Sequence, residues 1–197
     1  MTDTTPAVIL ASSSRYRREL LTRLQLDFTC QSPAIDETAE PGEPPLQLVQ
    51  RLALGKARAV AEQCRQASLV IGSDQVATLG DTVLGKPGDA SRASYQLQQM
   101  RGRRIEFLTG LCLFNTARHS QQVEVVPFSV KFRNYTDAEI ERYVAAEKPF
   151  DSAGSFHSEA LGVSLVESMS GSDPTALIGL PLIKLCEMLR QEGIALP

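Results

Sequence analysis

The chain contains little cysteine and histidine, no long apolar run and no excess of basic residues. Its 197 residues include only four cysteines and two histidines, which are widely scattered: Cys30, Cys64, Cys112, Cys186, His119 and His157. No two cysteines have CxxC spacing, so we expect free thiols in a reducing cytoplasm rather than a zinc site or a disulfide framework. The two histidines are too few and too far apart for a histidine-rich metal site.

The sequence also argues against membranes and nucleic-acid polymers as partners. No apolar run approaches the ~20 residues that span a bilayer, and the first residues lack the basic and apolar regions of a secretory signal. The formal net charge of -3 and the pI of about 5.5 argue against a general nucleic-acid-binding protein, which usually has a basic face. A local basic pocket for a phosphorylated small molecule is compatible with these values.

The residue pattern predicts an α/β protein with a mixed sheet. Runs typical of strands and of amphipathic helices alternate in the first half of the chain, and residues 105–114 and 123–132 predict a hairpin. The elements predicted after this hairpin are, in chain order, a helix over 136–146, a strand over 162–166, a turn over 170–174 and a helix over 181–191. The length suits one domain, residues 1–197, with or without two lobes around a groove.

The stretch over residues 69–76 provides the first candidate for chemistry. Apolar residues run into Gly72 and Ser73, and Asp74 follows at once, which predicts a buried strand that stops at the rim of the sheet and presents a carboxylate to a cleft. A carboxylate in such a place must be solvated, paired or bound to a metal. Taken alone, Asp74 has a simpler interpretation as a residue that caps a turn or a helix.

Basic residues cluster at the start of the first predicted helix. The serines at 12–14 precede the helix, Ser14 is a suitable N-cap, and the segment Arg15–Arg18 supplies three arginines in the first turn. Because the helix macrodipole disfavours cations there, these arginines favour an anion-binding site over a solvated basic face. Lys56, on the next amphipathic helix, is either a residue at the rim of the protein or one that points into a cleft.

These motifs, taken in order, resemble the Maf family of nucleoside triphosphate pyrophosphatases. The resemblance covers nearly the whole chain and is carried by the following segments: 10–18, 36–37, 56–57, 73–75, 85–87, 109–110, 153–155 and 179–181. Tyr16, Gln75 and Glu159 resemble the branch of the family that acts on 7-methyl-GTP. Arg15 departs from the family, which usually has proline at this position.

The resemblance implies an elongated fold with a twisted mixed sheet, flanking helices and a deep cleft between two lobes, in a cytoplasmic enzyme that is often a homodimer. It implies hydrolysis of a nucleoside triphosphate to its monophosphate and pyrophosphate with a divalent cation, namely Mg²⁺, Mn²⁺ or Co²⁺. It also implies roles for nine residues: Asp74 as the catalytic acid, Ser12, Arg17, Lys56 and Lys86 at the phosphates, Glu37 and Asp74 at the metal, and Tyr16, Gln75 and Glu159 at the base.

The proposed chemistry suits these side chains. Basic residues neutralise part of the triphosphate charge, and Asp74 orients and deprotonates the attacking water, binds the metal, or does both. An N7-methylated guanine carries positive charge, which the face of Tyr16 attracts and the carboxylate of Glu159 complements. Glu37 is either a second metal ligand or a solvated loop residue. Two alternative functions are hydrolysis of dTTP or UTP within the same family, and a nucleotide-binding regulator of cell division without enzymatic activity.

Overall fold

The computed structural model of the protein describes residues 6–197. Within this range the strands are β1 (Ala7–Leu10), β2 (Phe28–Cys30), β3 (Ser68–Leu79), β4 (Thr82–Leu84), β5 (Arg104–Asn115), β6 (Ser120–Phe132) and β7 (Val166–Gly171). The α-helices are α1 (Arg15–Thr22), α2 (Pro45–Ala61), α3 (Ala90–Met100), α4 (Asp137–Glu147) and α5 (Leu182–Gln191). Short 3₁₀ helices cover Ala153–Ser155, Leu161–Leu165 and Pro174–Ile178.

The strands form a mixed sheet, as the sequence predicts. The order is β2-β1-β3-β5-β6-β7, and β4 pairs with the outer half of β3. The pairs of β1 with β2 and with β3 are parallel, whereas the pairs from β3 through β5 and β6 to β7 are antiparallel. The predicted α/β class and the predicted β5–β6 hairpin are therefore confirmed. Across residues 6–197, the helices are too short or too polar to cross a membrane.

Helix α2 packs directly on the centre of the sheet, and two glycines permit this approach. Gly72 on β3 and Gly110 on β5 face the helix, and a Cβ atom at either position would overlap a main-chain carbonyl oxygen, that of Ala53 or Val49. The missing side chains therefore bring the helix backbone close to the strands. Because Lys56 lies one turn beyond Ala53 on α2, this packing also sets the depth of Lys56.

The predicted end of the strand at Gly72 and Ser73 is wrong. Strand β3 continues through Asp74 to Leu79, and Asp74 is paired with Gly110 of β5 in the middle of the sheet. The glycine serves close packing against α2 rather than a turn. Alternation along the strand then places Gly72 and Asp74 on the face covered by α2, and Ser73 on the opposite face.

A second correction concerns the segment between the two predicted helices that follow the hairpin. The predicted strand over 162–166 is largely a 3₁₀ helix, and strand β7 occupies part of the predicted turn over 170–174. Residues of β7 are mostly exposed and pair through their backbone with the edge of β6, from Phe128 to Phe132. The strand thus forms because β6 offers unpaired backbone groups at its edge. Its own side chains are not buried, so its sequence shows no alternation of apolar residues that would predict a strand.

Candidate functional site

A cleft of about 730 Å³ lies between the β1–α1 turn, α2, the middle of β3 and the segment after β4. Its lining includes eight of the nine residues predicted for the site: Ser12, Tyr16, Arg17, Glu37, Lys56, Asp74, Gln75 and Lys86. Glu159 is exposed and lies outside the described lining, and its carboxylate accepts a hydrogen bond from the hydroxyl of Ser158. The cleft therefore unites residues that are distant in sequence and leaves Glu159 apart.

The floor of the cleft is an ion pair between Lys56 and Asp74. The Lys56 ammonium donates to Asp74 Oδ1 at 2.7 Å and lies 3.0 Å from Glu37 Oε1. The side chains of Lys56 and Asp74 are only 6% and 9% exposed, whereas that of Glu37 is 52% exposed. Because a buried charge needs a partner, the two central residues fix each other, and Glu37 approaches them from the loop after β2.

Arg17 stands beside this ion pair on the first turn of α1. Its Nε donates to the carbonyl oxygen of Gly179 at 2.8 Å, which orients the guanidinium. Burial lowers the pKa of Arg17, and the nearby carboxylates of Asp74 and Glu37 act in the opposite direction. The same carbonyl of Gly179 accepts from the Ser73 hydroxyl at 2.9 Å, so strand β3 and helix α1 share one anchoring point.

The start of α1 forms one wall of the cleft. The hydroxyl of Ser14 accepts from the N–H of Arg17 at 3.5 Å, as expected of an N-cap, and the buried Ser12 hydroxyl accepts from the N–H of Ser14 at 3.1 Å. Lys86 lies on the opposite wall, after β4, and is exposed. Basic side chains and the N-terminal end of a helix thus meet in one cleft, an arrangement suited to a polyanion.

Gln75 projects to the face of β3 opposite Asp74. Its amide nitrogen lies within hydrogen-bond distance of the Thr109 hydroxyl, at 3.0 Å, and of the carbonyl oxygens of Ala176 and Leu177, at 2.7 and 3.1 Å. These contacts hold the 3₁₀ helix Pro174–Ile178 against the sheet. Gln75 therefore has a structural role in addition to the base-selecting role that the sequence suggests.

Tyr16 lies at the other end of the cleft, where the sequence did not identify the neighbouring His157 and Asp151 as site residues. Its hydroxyl is 3.2 Å from His157 Nε2, and Arg15 Nη2 donates to the same hydroxyl at 2.6 Å. Asp151 also lines the cleft, and its Oδ1 lies 3.6 Å from His157 Nε2. His157 is buried, although the sequence around it carries no apolar stripe that predicts this burial.

The chain belongs to the Maf family. The family model described as "Maf-like protein" matches residues 7–192. A protein of Alcanivorax borkumensis named 7-methyl-GTP pyrophosphatase is 54% identical over 197 residues, which is the full length of both chains. Proteins of the same name from Pseudomonas syringae pv. syringae and Pseudomonas aeruginosa are 55% and 54% identical over 192 residues, covering 98% of this chain and 100% of each relative.

Solved structures match about two thirds of the chain. A HAM1 protein from Coxiella burnetii matches 66% of this chain and 75% of its own chain, with a TM-score of 0.48 and 20% sequence identity. A nucleoside-triphosphatase described as a dITP/XTP pyrophosphatase, from Mycobacterium abscessus, covers the same shares with a TM-score of 0.40 and 17% identity.

Proposed function

We propose that this protein is a nucleoside triphosphate pyrophosphatase that hydrolyses 7-methyl-GTP to 7-methyl-GMP and pyrophosphate. The observation that carries the proposal is the buried pair of Asp74 and Lys56 on the floor of a cleft that Arg17 and Lys86 also line. A site for simple binding of a polyanion gains nothing from a buried carboxylate. Relatives that share 54–55% of their residues over nearly the full chain carry this activity in their names.

The basic residues of the cleft would hold the triphosphate. Arg17, Lys56 and Lys86 neutralise part of its charge and place the α-phosphorus near Asp74. Asp74 then orients a water molecule and accepts one of its protons, while the water oxygen bonds to the α-phosphorus and the bond to the bridging oxygen of the β-phosphate breaks. Pyrophosphate leaves with that oxygen, and its negative charge stays paired with the same cations.

A divalent cation fits the donor set at this end of the cleft. The oxygens of Asp74 and Glu37 both lie within 3.0 Å of the Lys56 ammonium, so one cationic centre already reaches both carboxylates. The described residues hold no cluster of three or more acidic, histidine or cysteine ligands. This suits Mg²⁺, Mn²⁺ or Co²⁺ bound by carboxylates together with substrate phosphates, where the metal would neutralise developing charge and polarise water.

The opposite end of the cleft would select the base. Tyr16 offers an aromatic ring to the cationic ring of 7-methylguanine. Asp151 lines the same region, and Glu159 lies two residues beyond His157, the neighbour of Tyr16. The negative charge of Asp151 in the cleft suits a positively charged base, and Glu159 would add to it only from outside the lining, whereas an arginine at position 16 would repel such a base.

A panel of nucleoside triphosphates tests the proposal directly. Purified protein is assayed for pyrophosphate release with Mn²⁺ or Mg²⁺, and with excess chelator, on 7-methyl-GTP, GTP, dTTP and UTP. We expect release from 7-methyl-GTP above all others and its loss when the metal is removed. Preference for dTTP or UTP would transfer the protein to the other branch of the family, and binding without release from any triphosphate would favour a regulator.

The assembly and location of the protein are also proposed from the family. We infer a cytoplasmic homodimer, and the four cysteines, all free, suit a reducing compartment. Light scattering of the purified protein measures its mass in solution, and a mass of one chain would contradict the dimer. Cell fractionation, with an antibody against the protein and marker proteins for each compartment, tests the location, and recovery outside the cytoplasmic fraction would contradict it.

A further inference from the structure

Tyr16 contacts a buried histidine that is not among the residues lining the cleft. His157 Nε2 lies 3.2 Å from the Tyr16 hydroxyl, and the two ring centroids are 5.5 Å apart. We propose that His157 is a positioning residue that fixes the Tyr16 ring for recognition of the base. This inference rests on the proposed function, because it assigns a partner to the residue that contacts the base there.

His157 is itself held by two residues of α4. Its main-chain N–H donates to the Tyr143 hydroxyl at 3.1 Å, and its Nδ1 lies 3.3 Å from Glu147 Oε2. The other oxygen of Glu147 accepts from the N–H of Leu161 at 3.0 Å, which fixes this carboxylate at the end of α4. Only 5% of His157 is exposed. The imidazole is therefore fixed by α4, and its contact with the Tyr16 hydroxyl restricts the movement of that side chain on α1.

The chemistry of the partners assigns the hydrogens. Because the Glu147 carboxylate only accepts, Nδ1 carries a hydrogen and donates to it. In the neutral imidazole Nε2 then accepts, so the Tyr16 hydroxyl donates its hydrogen to Nε2 while its oxygen accepts from Arg15 at 2.6 Å. Asp151 faces the same nitrogen at 3.6 Å without a hydrogen bond. The phenol is thus held on both sides of its oxygen.

The orientation of the ring matters because a cation is attracted only over the face of an aromatic ring. The Arg15 guanidinium carbon already lies 4.6 Å from the centroid of the Tyr16 ring. The Tyr16 ring therefore already lies between a cation and the tilted His157 ring, whose centroid is 5.5 Å away, so its position decides which ring surface the base can meet. If His157 no longer fixes the phenol, the ring turns about its side-chain bonds, and the cost falls on binding of the base rather than on hydrolysis.

Two amide variants separate positioning from simple packing. In His157→Gln the amide reaches the place of Nε2, whereas in His157→Asn it reaches only the place of Nδ1, on the side of Glu147. We expect KM for 7-methyl-GTP to rise about 10-fold in His157→Asn and less in His157→Gln, with kcat and inhibition by pyrophosphate unchanged. Equal KM values in the two variants, or a fall in kcat alone, would overturn the proposal. Thermal melts identify the variants that are folded.

The Tyr16→Phe background provides the decisive control. This variant removes the hydroxyl that His157 contacts, so the substitution His157→Asn should have no further effect on KM there. An undiminished effect would show that His157 acts through another route. His119→Asn changes the other histidine, which is exposed in the β5–β6 turn, and should match the wild type.

A measurement without turnover distinguishes this inference from the proposed function. The chain has two histidines, so ¹⁵N-histidine labelling gives two sets of ring signals, and His119→Asn assigns them. We expect hydrogen on Nδ1 of His157 and a shifted Nε2 resonance in Tyr16→Phe. An Nε2 chemical shift that is the same in the wild type and in Tyr16→Phe would contradict the contact between the two side chains. If the wild type hydrolyses a triphosphate other than 7-methyl-GTP, the proposed function fails, while the coupling between His157 and Tyr16 is measured on that substrate.

Discussion

The two ends of the cleft are built from different kinds of structure. At the phosphate end, Lys56 and Asp74 project from α2 and β3, which are long elements packed through Gly72. At the base end, Tyr16 lies on the first turn of α1, and His157 lies between two 3₁₀ helices. On the proposed assignment, chemistry that every triphosphate shares would depend on the long elements of the sheet and α2, and selection of the base would depend on segments that can change without disturbing the sheet.

The difference extends to how charge is treated. The phosphate end buries an ammonium and a carboxylate 2.7 Å apart, so its electrostatics depend on the integrity of the fold. At the other end of the cleft, the charged residues Arg15 and Asp151 are exposed. A substitution at the first end should therefore damage catalysis and stability together, whereas one at the second should alter which nucleotide is preferred.

The largest effect is expected from Asp74→Asn. The amide keeps the size of the side chain but cannot accept a proton from water, so kcat should fall ~10²–10⁴-fold. Lys56 keeps Glu37 as a partner, so the protein should still fold, although with lower stability than the wild type. Steady-state release of pyrophosphate and far-UV circular dichroism check the two parts of this prediction.

Asp81→Asn is the matched control, because Asp81 is an exposed acidic residue in the turn between β3 and β4. Its kcat should equal that of the wild type. Turnover by Asp74→Asn within a few-fold of this control would show that Asp74 is not the catalytic residue.

Gly110→Ala should weaken the packing of α2 against the sheet, which positions Lys56 and Asp74. A Cβ atom there meets the backbone carbonyl of Val49, which cannot move aside as a flexible side chain would. We expect a loss of about 3 kcal/mol in the free energy of unfolding, near the upper end of the usual cost of overpacking. Urea denaturation measures it, and Gly85→Ala is the control because a Cβ at Gly85 meets open space. Equal stability of the two variants would contradict the close packing of α2.

The paired change Tyr16→Arg and Glu159→Gln tests the base end. It removes the aromatic face and one negative charge and adds a cation that repels 7-methylguanine. We expect the ratio of kcat/KM for 7-methyl-GTP to that for dTTP to fall about 10-fold or more, while inhibition by pyrophosphate is unchanged. Each single variant, assayed on both nucleotides, shows which residue contributes. An unchanged ratio in the pair would make the assignment of the base end wrong.

The sequence was most informative where an element is long and its chemistry is local. The hairpin β5–β6, the N-cap at Ser14 and the capping box at Thr136 and Glu139 are all predictable, because their signals lie within a few residues. Sequence motifs also identified eight residues that line one cleft. Their roles in catalysis and recognition are still predictions.

Features that depend on distant partners could not be predicted. Gly72 suggests a turn from its sequence alone, and only the approach of α2 explains it. His157 is separated from Tyr16 by 141 positions. Its other partner, Glu147, is the last residue of helix α4, and nothing in the sequence of that helix indicates a contact with His157. The strand β7 has exposed side chains and forms because β6 offers an edge. In each case the decisive partner comes from elsewhere in the fold.

The smallest effect is expected from a change at Glu139, at the start of α4, the helix that also contacts His157 through Glu147. Helix α4 carries Glu147, which contacts His157, and its first turn is secured by Glu139. The N–H of Thr136, and then the Arg133 guanidinium, lower the pKa of Glu139 to about 2 from its ordinary value of 4.5. Because the folded protein favours the charged form, this carboxylate contributes stability above pH 4.5 that is lost as the pH falls through about 2.

Glu139→Gln should therefore lower the melting temperature most at neutral pH, and its difference from the wild type should shrink as the pH approaches 2. The amide can still accept from the N–H of Thr136 but carries no charge for Arg133, so the loss at neutral pH should be modest. Thermal melts across the pH range measure this, with Glu141→Gln, an exposed change on the same helix, as the control. A difference that stays constant with pH would mean that the charge of Glu139 does not stabilise α4. If α4 does secure the base end, KM for 7-methyl-GTP should rise slightly in Glu139→Gln while kcat stays constant.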